Sequence, residues 1–324
     1  MSAAAGAPFF SPTPEGVYRR FEAFSPGTGP AMWPPVIENP FPSLQGVPSA
    51  APREISARLL GGAILHHGCL LVPGLFDDAS VGRLRDAVTT ALDAAQRFLK
   101  DRQTSDWFSP FPLLPSTIQP AARKFGLEGG SVFAADSPRA LEVLLAEFAR
   151  TGISEAIEAY LGEAAFLSVG KTSLRRVDPG IPTGWHQDGA FLGEHIRTVN
   201  LWVALSDCGE EAPGLDLLPR RVDHLCERGT HGAHFDWSIG NPVVEALAGV
   251  THTPVISPRF KAGDALLFDQ LFVHRTGIHP GMRRPRYAIE AWHFAGSTFP
   301  AKQIPIARDP RANHPPGSAP ARGI

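Results

Sequence analysis

Beyond residue 164 the chain is cut into short apolar runs, and this punctuation narrows the available folds more than any other feature. The runs at 166–177, 198–205, 215–218, 255–257, 265–269 and 287–295 carry Val, Leu, Phe and Trp, with Gly, Pro and Asp between them. Such lengths and boundaries predict strands rather than helices. Glycine and proline, 32 of each in 324 residues, are ample for the turns.

The preceding stretch has the other period. A short helix is predicted from Ser56, then an apolar run at 68–76. Asp77 caps a long helix to about residue 100, with Val81, Leu84, Val88, Leu92 and Ala95 on one stripe. Ser137-Pro138 opens another helix through Leu141, Leu144, Leu145 and Phe148, and a shorter one follows to residue 160. Helices first and strands afterwards predict an antiparallel double sheet with helices packed on it, not an alternating α/β fold. The expected organisation is a Pro-rich arm at 1–55 and a domain at 56–300, with its helical part at 56–163 and its sheet core at 164–296. A Pro/Ala-rich tail follows at 301–324.

Several function classes are excluded. Net charge is −2 and no basic stripe marks a nucleic-acid binder. Cys69, Cys208 and Cys226 form no CxxC pair, so neither a zinc ribbon nor a disulfide framework is expected, and a reduced, cytoplasmic setting is. Residues 1–10 lack the pattern of a signal peptide. The most apolar window, 57–76, is interrupted by His66, His67, glycines and Pro73, so no membrane span is expected. No P-loop or GxGxxG is present; 126–130 lacks the spacing. His66-His67 reads as a helix end, and His231-x-x-His234 as part of a loop that lines a substrate mouth or simply decorates the long segment 206–252, not as a second metal site.

The chemistry concentrates at Trp185-His186-Gln187-Asp188. Alternate residues of a strand share a face, so His186 and Asp188 project together while Gln187 points away. They are two ligands of a two-histidine, one-carboxylate metal site, and the third must be a distant histidine. Lys261-Ala-Gly263-Asp264 forms a turn, Ala265-Leu-Leu-Phe268 a buried strand, and a further strand ends at His274. Arg284 and Arg286 follow, the latter opening Tyr287-Ala-Ile-Glu-Ala-Trp-His-Phe-Ala295. Three ligands on one face leave positions for a 2-oxo acid and O2, and a bidentate arginine suits the far carboxylate of 2-oxoglutarate.

These segments resemble the phytanoyl-CoA dioxygenase family of Fe(II)/2-oxoglutarate oxygenases. The resemblance covers roughly 60–296 and rests on WHQD at 185–188, NLWVALSD at 200–207, LLPRRVDH at 217–224, GDALLFDQLFVHRTG at 263–277 and RYAIEAWHFAG at 286–296, with a fainter LLVPGLFDDASVGRLRDAV at 70–88. It implies a mainly β fold with flanking helices around a double-stranded β-helix, the jelly roll. His186, Asp188 and His274 would be the Fe(II) ligands. Arg286 and Thr276 would hold the carboxylate of 2-oxoglutarate, with Trp202 and Lys171 near other co-substrate positions. The interval from His274 to Arg286 is one residue longer than the family pattern, which leaves Arg284 as a rival on the same face. Pro219-Arg220-Arg221 also departs from the family's turn.

The implied activity is hydroxylation of a C–H bond in a small or lipid-like molecule by O2, with release of succinate and CO2. Halogenating relatives carry a small residue where Asp188 stands, so hydroxylation is the expected outcome. Two alternatives stay open at this point. One is a cupin-like metal isomerase, lyase or non-2-oxoglutarate dioxygenase; the other is a non-catalytic jelly-roll binding module. The substrate and the oligomeric state are not legible.

Overall fold

The computed structural model describes residues 28–111, 120–180 and 184–307. Residues 1–27 of the expected arm and 308–324 of the expected tail lie outside them. Within them, α1 (Ala57–His67) leads into β1 (Cys69–Val72) and the long α2 (Asp78–Asp101). Next come α3 (Pro120–Glu128), β2 (Ser131–Phe133), α4 (Pro138–Thr151) and α5 (Ile153–Leu161). Then follow β3 (Ala165–Ser168), β4 (Ser173–Val177), the single turn α6 (Gly189–Leu192), β5 (Thr198–Ala204) and β6 (Gly214–Arg221). The last elements are α7 (Asn241–Thr251), β7 (Ala265–Phe268), β8 (Phe272–Gly277), β9 (Arg286–Ala295) and β10 (Pro305–Ala307).

The helix ends follow local chemistry. The Ser56 hydroxyl accepts from Leu59 N, and the Asp77 carboxylate accepts from Ser80 N at 2.7 Å. His66 and His67 close α1, and Gly68 stops it at φ 79°, where a Cβ would lie 2.5 Å from the Phe272 ring. Ser137 stands at the N-cap of α4 as expected, but its hydroxyl donates to the Trp107 carbonyl instead of capping the helix.

The strands form two antiparallel sheets. The larger has eight strands in the order β1-β7-β5-β9-β3-β10, with β4 also on β9 and β2 on β4. The smaller is β6-β8, widened by single bridges from His186 to His274 and from Leu217 to Ile256. Strand parity divides the residues of β5 and β9 between two layers. Val199, Leu201, Val203, Ile289 and Ala291 face the helices, in one cluster with Leu60, Leu84, Val88, Leu141, Leu144 and Ile157. Trp202, Ala204, Ala288, Trp292 and Phe294 face the smaller sheet and pack with Leu215, Leu217, Phe268 and Phe272. Each fully buried Leu, Val or Phe contributes about 1.5–3 kcal/mol. The site lies in the inner layer, between the sheets.

The structure departs from the sequence reading in places. The single run predicted over 166–177 is two strands, β3 and β4. Residues 255–257 supply one bridge, not a strand. The helices α3 and α7 fell in stretches without an apolar stripe: α3 buries no residue and α7 only Val244. The sheet also runs past residue 300, where β10 pairs with β3.

Candidate metal and co-substrate site

The centre of the site is a backbone pair. His186 N donates to His274 O at 2.9 Å and His274 N to His186 O at 3.1 Å. Two residues opposite each other in an antiparallel pair share a face, so the imidazoles stand together, 4.4 Å between ring centroids. Asp188 follows where the chain turns into α6; its carbonyl accepts from Phe191 N and Leu192 N at 3.0 Å. Its carboxylate Oδ2 lies 3.6 Å from His274 Nε2. One ligand atom of each of the three residues lies within 4.8 Å of the others, and among the described residues no other group of three could hold an ion.

The ring nitrogens are assigned by their partners. His186 Nδ1 lies 3.0 Å from Gly184 O and His274 Nδ1 3.0 Å from Phe272 O. A carbonyl only accepts, so both Nδ1 atoms carry a proton, which in a neutral imidazole leaves the lone pair on Nε2, free for an ion. Burial, reinforced by the neighbouring His186, lowers the pKa of His274 from 6.5 to about 4. Burial alone would raise the pKa of Asp188, but Lys171 and the two histidines outweigh it and hold the carboxyl at about 2. At neutral pH the trio is therefore a carboxylate and a neutral His274 beside His186, a donor set that suits Fe(II).

Gln187, between two of these residues, does the anchoring. Its Nε2 donates to Leu271 O at 2.6 Å and His224 O at 3.0 Å, and its Oε1 accepts from Cys226 N at 2.7 Å. Gln187→Leu leaves three main-chain groups without their partner, at about 1–3 kcal/mol for each that stays buried. Leu271 and Cys226 are buried and His224 is exposed, so denaturant unfolding should show a loss of about 2–6 kcal/mol. Parity placed Gln187 away from the site, but nothing in the sequence marked its three partners.

The far end of the site lies along β8. Thr276 shares the inward parity of His274, about 7 Å further on, and is buried. Gly277 pairs with Gly214, whose carbonyl accepts from Arg286 Nη1 at 2.6 Å. Arg286 is fully buried, and its Nε and Nη2 have no partner among the described residues. Burial, then the nearby Arg175, push its pKa down to about 10. Arg284 is 76% exposed and pairs with Glu211 at 3.2 Å, so the two same-face rivals are widely separated in environment. Trp202 is buried with its ring 5.5 Å from the Arg286 guanidinium carbon and its Nε1 unpartnered.

Lys171 sits at the metal end, its Nζ 3.1 Å from Asp188 Oδ1. Sequence reasoning missed the ion pair of Arg175 with Glu290 and the aromatic group beside His186, for which no spacing gave a signal. Trp237 stands edge-on to His186 at 5.6 Å, with Phe191 at 5.2 Å and Phe235 stacked on it at 4.7 Å. His231 and His234 lie exposed in the neighbouring loop, His231 beside Glu227 and His234 against Phe235.

The family model for phytanoyl-CoA dioxygenase (PhyH) matches residues 64–284, more than half of the chain and both histidines of the pair. The chain belongs to the phytanoyl-CoA dioxygenase family. It is accordingly a non-haem iron enzyme that uses 2-oxoglutarate. Among solved structures it is similar to EctD from S. alaskensis in its apoform, at 20% identity over 81% of this chain and 86% of that one, with a TM-score of 0.52. It is also similar to the epimerase SnoN from nogalamycin biosynthesis, at 17% identity over 81% and 90%, TM-score 0.44. AviO1 from Streptomyces viridochromogenes Tue57 follows at 18% identity over 76% and 98%, TM-score 0.47. At these identities the likeness establishes the fold alone, and the EctD comparison carries it. No curated protein sequence matches. Among the described residues no helix is long and apolar enough to cross a membrane.

Proposed function

We propose that His186, Asp188 and His274 hold Fe(II), that Arg286 with Thr276 grips the distal carboxylate of 2-oxoglutarate, and that the enzyme hydroxylates a C–H bond of a small organic substrate. The observation that carries this reading is Arg286. A guanidinium with no exposure and two unused donors is costly to bury unless an anion completes it. Its Nη1 is anchored on the Gly214 carbonyl, and Gly214 pairs with Gly277 at the end of β8, next to Thr276. Trp202 forms an apolar wall beside it. Bound there, the metal and 2-oxoglutarate supply the family's oxidative chemistry, in which O2 converts the co-substrate to succinate and CO2.

The protein's own part is to hold and exclude. The carbonyls of Gly184 and Phe272 fix the two imidazoles with Nε2 inward. Phe268 and Phe272 pack against His274 at 4.7 and 5.8 Å, keeping water from that side. Asp188 fills a ligand position, which favours hydroxylation over halide transfer. A cupin-like isomerase does not need Arg286, and a non-catalytic binding module would release no succinate. The test is succinate formation from 2-oxoglutarate with and without Fe(II), across a metabolite panel. Turnover should require iron and rise with the substrate; iron-independent or absent turnover across the panel contradicts the reading.

Protonation sets a stability window. His274 in the folded protein resists protonation down to about pH 4, whereas the unfolded chain takes up that proton near 6.5. The unfolded state binds more protons between these values, so stability falls as pH drops through the window, by at most about 1.4 kcal/mol per pH unit. Asp188, depressed from 3.8 to about 2, adds a further loss below pH 4. Denaturant midpoints from pH 7 to 4 should show the first slope, and His274→Gln should flatten it.

A further inference from the structure

Five charged side chains come together on the inner side of the barrel around the metal and co-substrate residues: Lys171, Arg175 and Arg286 against Asp188 and Glu290. Arg175 and Glu290 form an ion pair of their own, to which the Ser173 hydroxyl donates at 3.2 Å. With Fe(II) and 2-oxoglutarate placed as above, the metal dication is balanced by Asp188 and the near carboxylate, and Arg286 by the distal one. Lys171 is then the one cation of this group without an anion to itself. It is reached by solvent: the side chain is 24% exposed, with Nζ 5.5 Å from the Phe191 ring and 5.7 Å from Trp292.

The surface beside it is apolar. Phe191 is 50% exposed, Trp237 lies 5.2 Å from it, and Phe235 continues the wall by stacking on Trp237. A partly desolvated ammonium next to exposed aromatic rings fits a ligand with one acidic end and a hydrocarbon body. A single spare positive charge suits a monoanion, hence a carboxylate rather than a phosphate dianion.

We propose that the substrate is an organic carboxylate, its acid group held by Lys171 and its apolar body lying against Phe191 and Trp237, beside the metal. This rests on the iron and 2-oxoglutarate reading above. It makes Lys171 the specificity-determining residue, separate from the grip of Arg286 on the co-substrate.

The experiment uses protein loaded anaerobically with Fe(II) and 2-oxoglutarate, titrated calorimetrically with phenylbutanoate, phenylbutanol and phenylbutylamine. These probes share one body and differ in charge. The acid should bind about 10- to 100-fold more tightly than the alcohol, the worth of a charge-assisted hydrogen bond, and the amine should bind least. Lys171→Met should bring the acid down to the alcohol's affinity, and Lys171→Arg should keep the preference. Equal binding of acid and alcohol, no binding of the acid, or a preference that survives Lys171→Met overturns the inference. Should Lys171→Met not load iron, the three probes on the unaltered protein still decide. A wild-type protein that takes up no Fe(II) with 2-oxoglutarate overturns the iron reading itself, visibly before any probe is added.

Discussion

Arg286→Ala should raise the concentration of 2-oxoglutarate needed for half-maximal turnover by about 10²–10⁴-fold, leaving Fe(II) uptake little changed. Removing one partner of a buried charge pair costs about 3–5 kcal/mol, which corresponds to that factor in affinity. Thr276→Val, which removes a hydroxyl and keeps the shape, should cost about 1 kcal/mol. Arg284→Ala should do nothing to the co-substrate requirement, because its side chain is exposed and paired with Glu211. The sign on stability is the unusual part. In the protein alone, Arg286 is a fully buried cation with two unpartnered donors, so Arg286→Met should leave the unfolding free energy unchanged or raise it. A large increase in the 2-oxoglutarate requirement without a loss of stability separates a binding arginine from a structural one.

His186→Ala and His274→Ala should each abolish iron-dependent turnover and weaken metal binding by more than about 100-fold. Loss of an outer contact alone typically costs 10–100-fold, and here a direct ligand is removed. The fold should survive, because the two histidines are joined through main-chain N–H and C=O groups that alanine retains. Asp188→Ala should be as damaging to turnover, and it also strips Lys171 of its 3.1 Å carboxylate partner. Circular dichroism and metal titration on the same samples distinguish lost ligands from a lost fold.

The site was more legible in the sequence than the frame around it. His186 and Asp188 are two residues apart, and strand parity predicted a shared site, which the structure reaches with Asp188 already at the helical start of α6. His274 could be joined to them because a turn at Gly263-Asp264 and a buried run precede it; Asp264 does brace that turn, accepting from Gly74 N at 2.9 Å and Lys261 N at 2.7 Å. Parity also set Arg286 on the face of Ala288 and Trp292, the inner one. It could not separate Arg286 from Arg284, which has the same parity, because what divides them is the point where β9 begins. The helices α3 and α7 stayed hidden since periodicity reports burial and they bury almost nothing. Parity put Glu290 on the inner face as well, but its pairing with Arg175, like the place of Trp237, was beyond reach because the neighbours come from strands and loops far away in the chain.

Anaerobic titration of the protein with Fe(II) in the presence of 2-oxoglutarate tests the central claim most directly, run in parallel on wild type, His274→Ala and Arg286→Ala. One equivalent of iron should bind per chain of wild type, very little to His274→Ala, and one equivalent to Arg286→Ala, with 2-oxoglutarate no longer retained at the same concentration. Stoichiometric iron in His274→Ala, or undiminished retention of 2-oxoglutarate by Arg286→Ala, would contradict the site described.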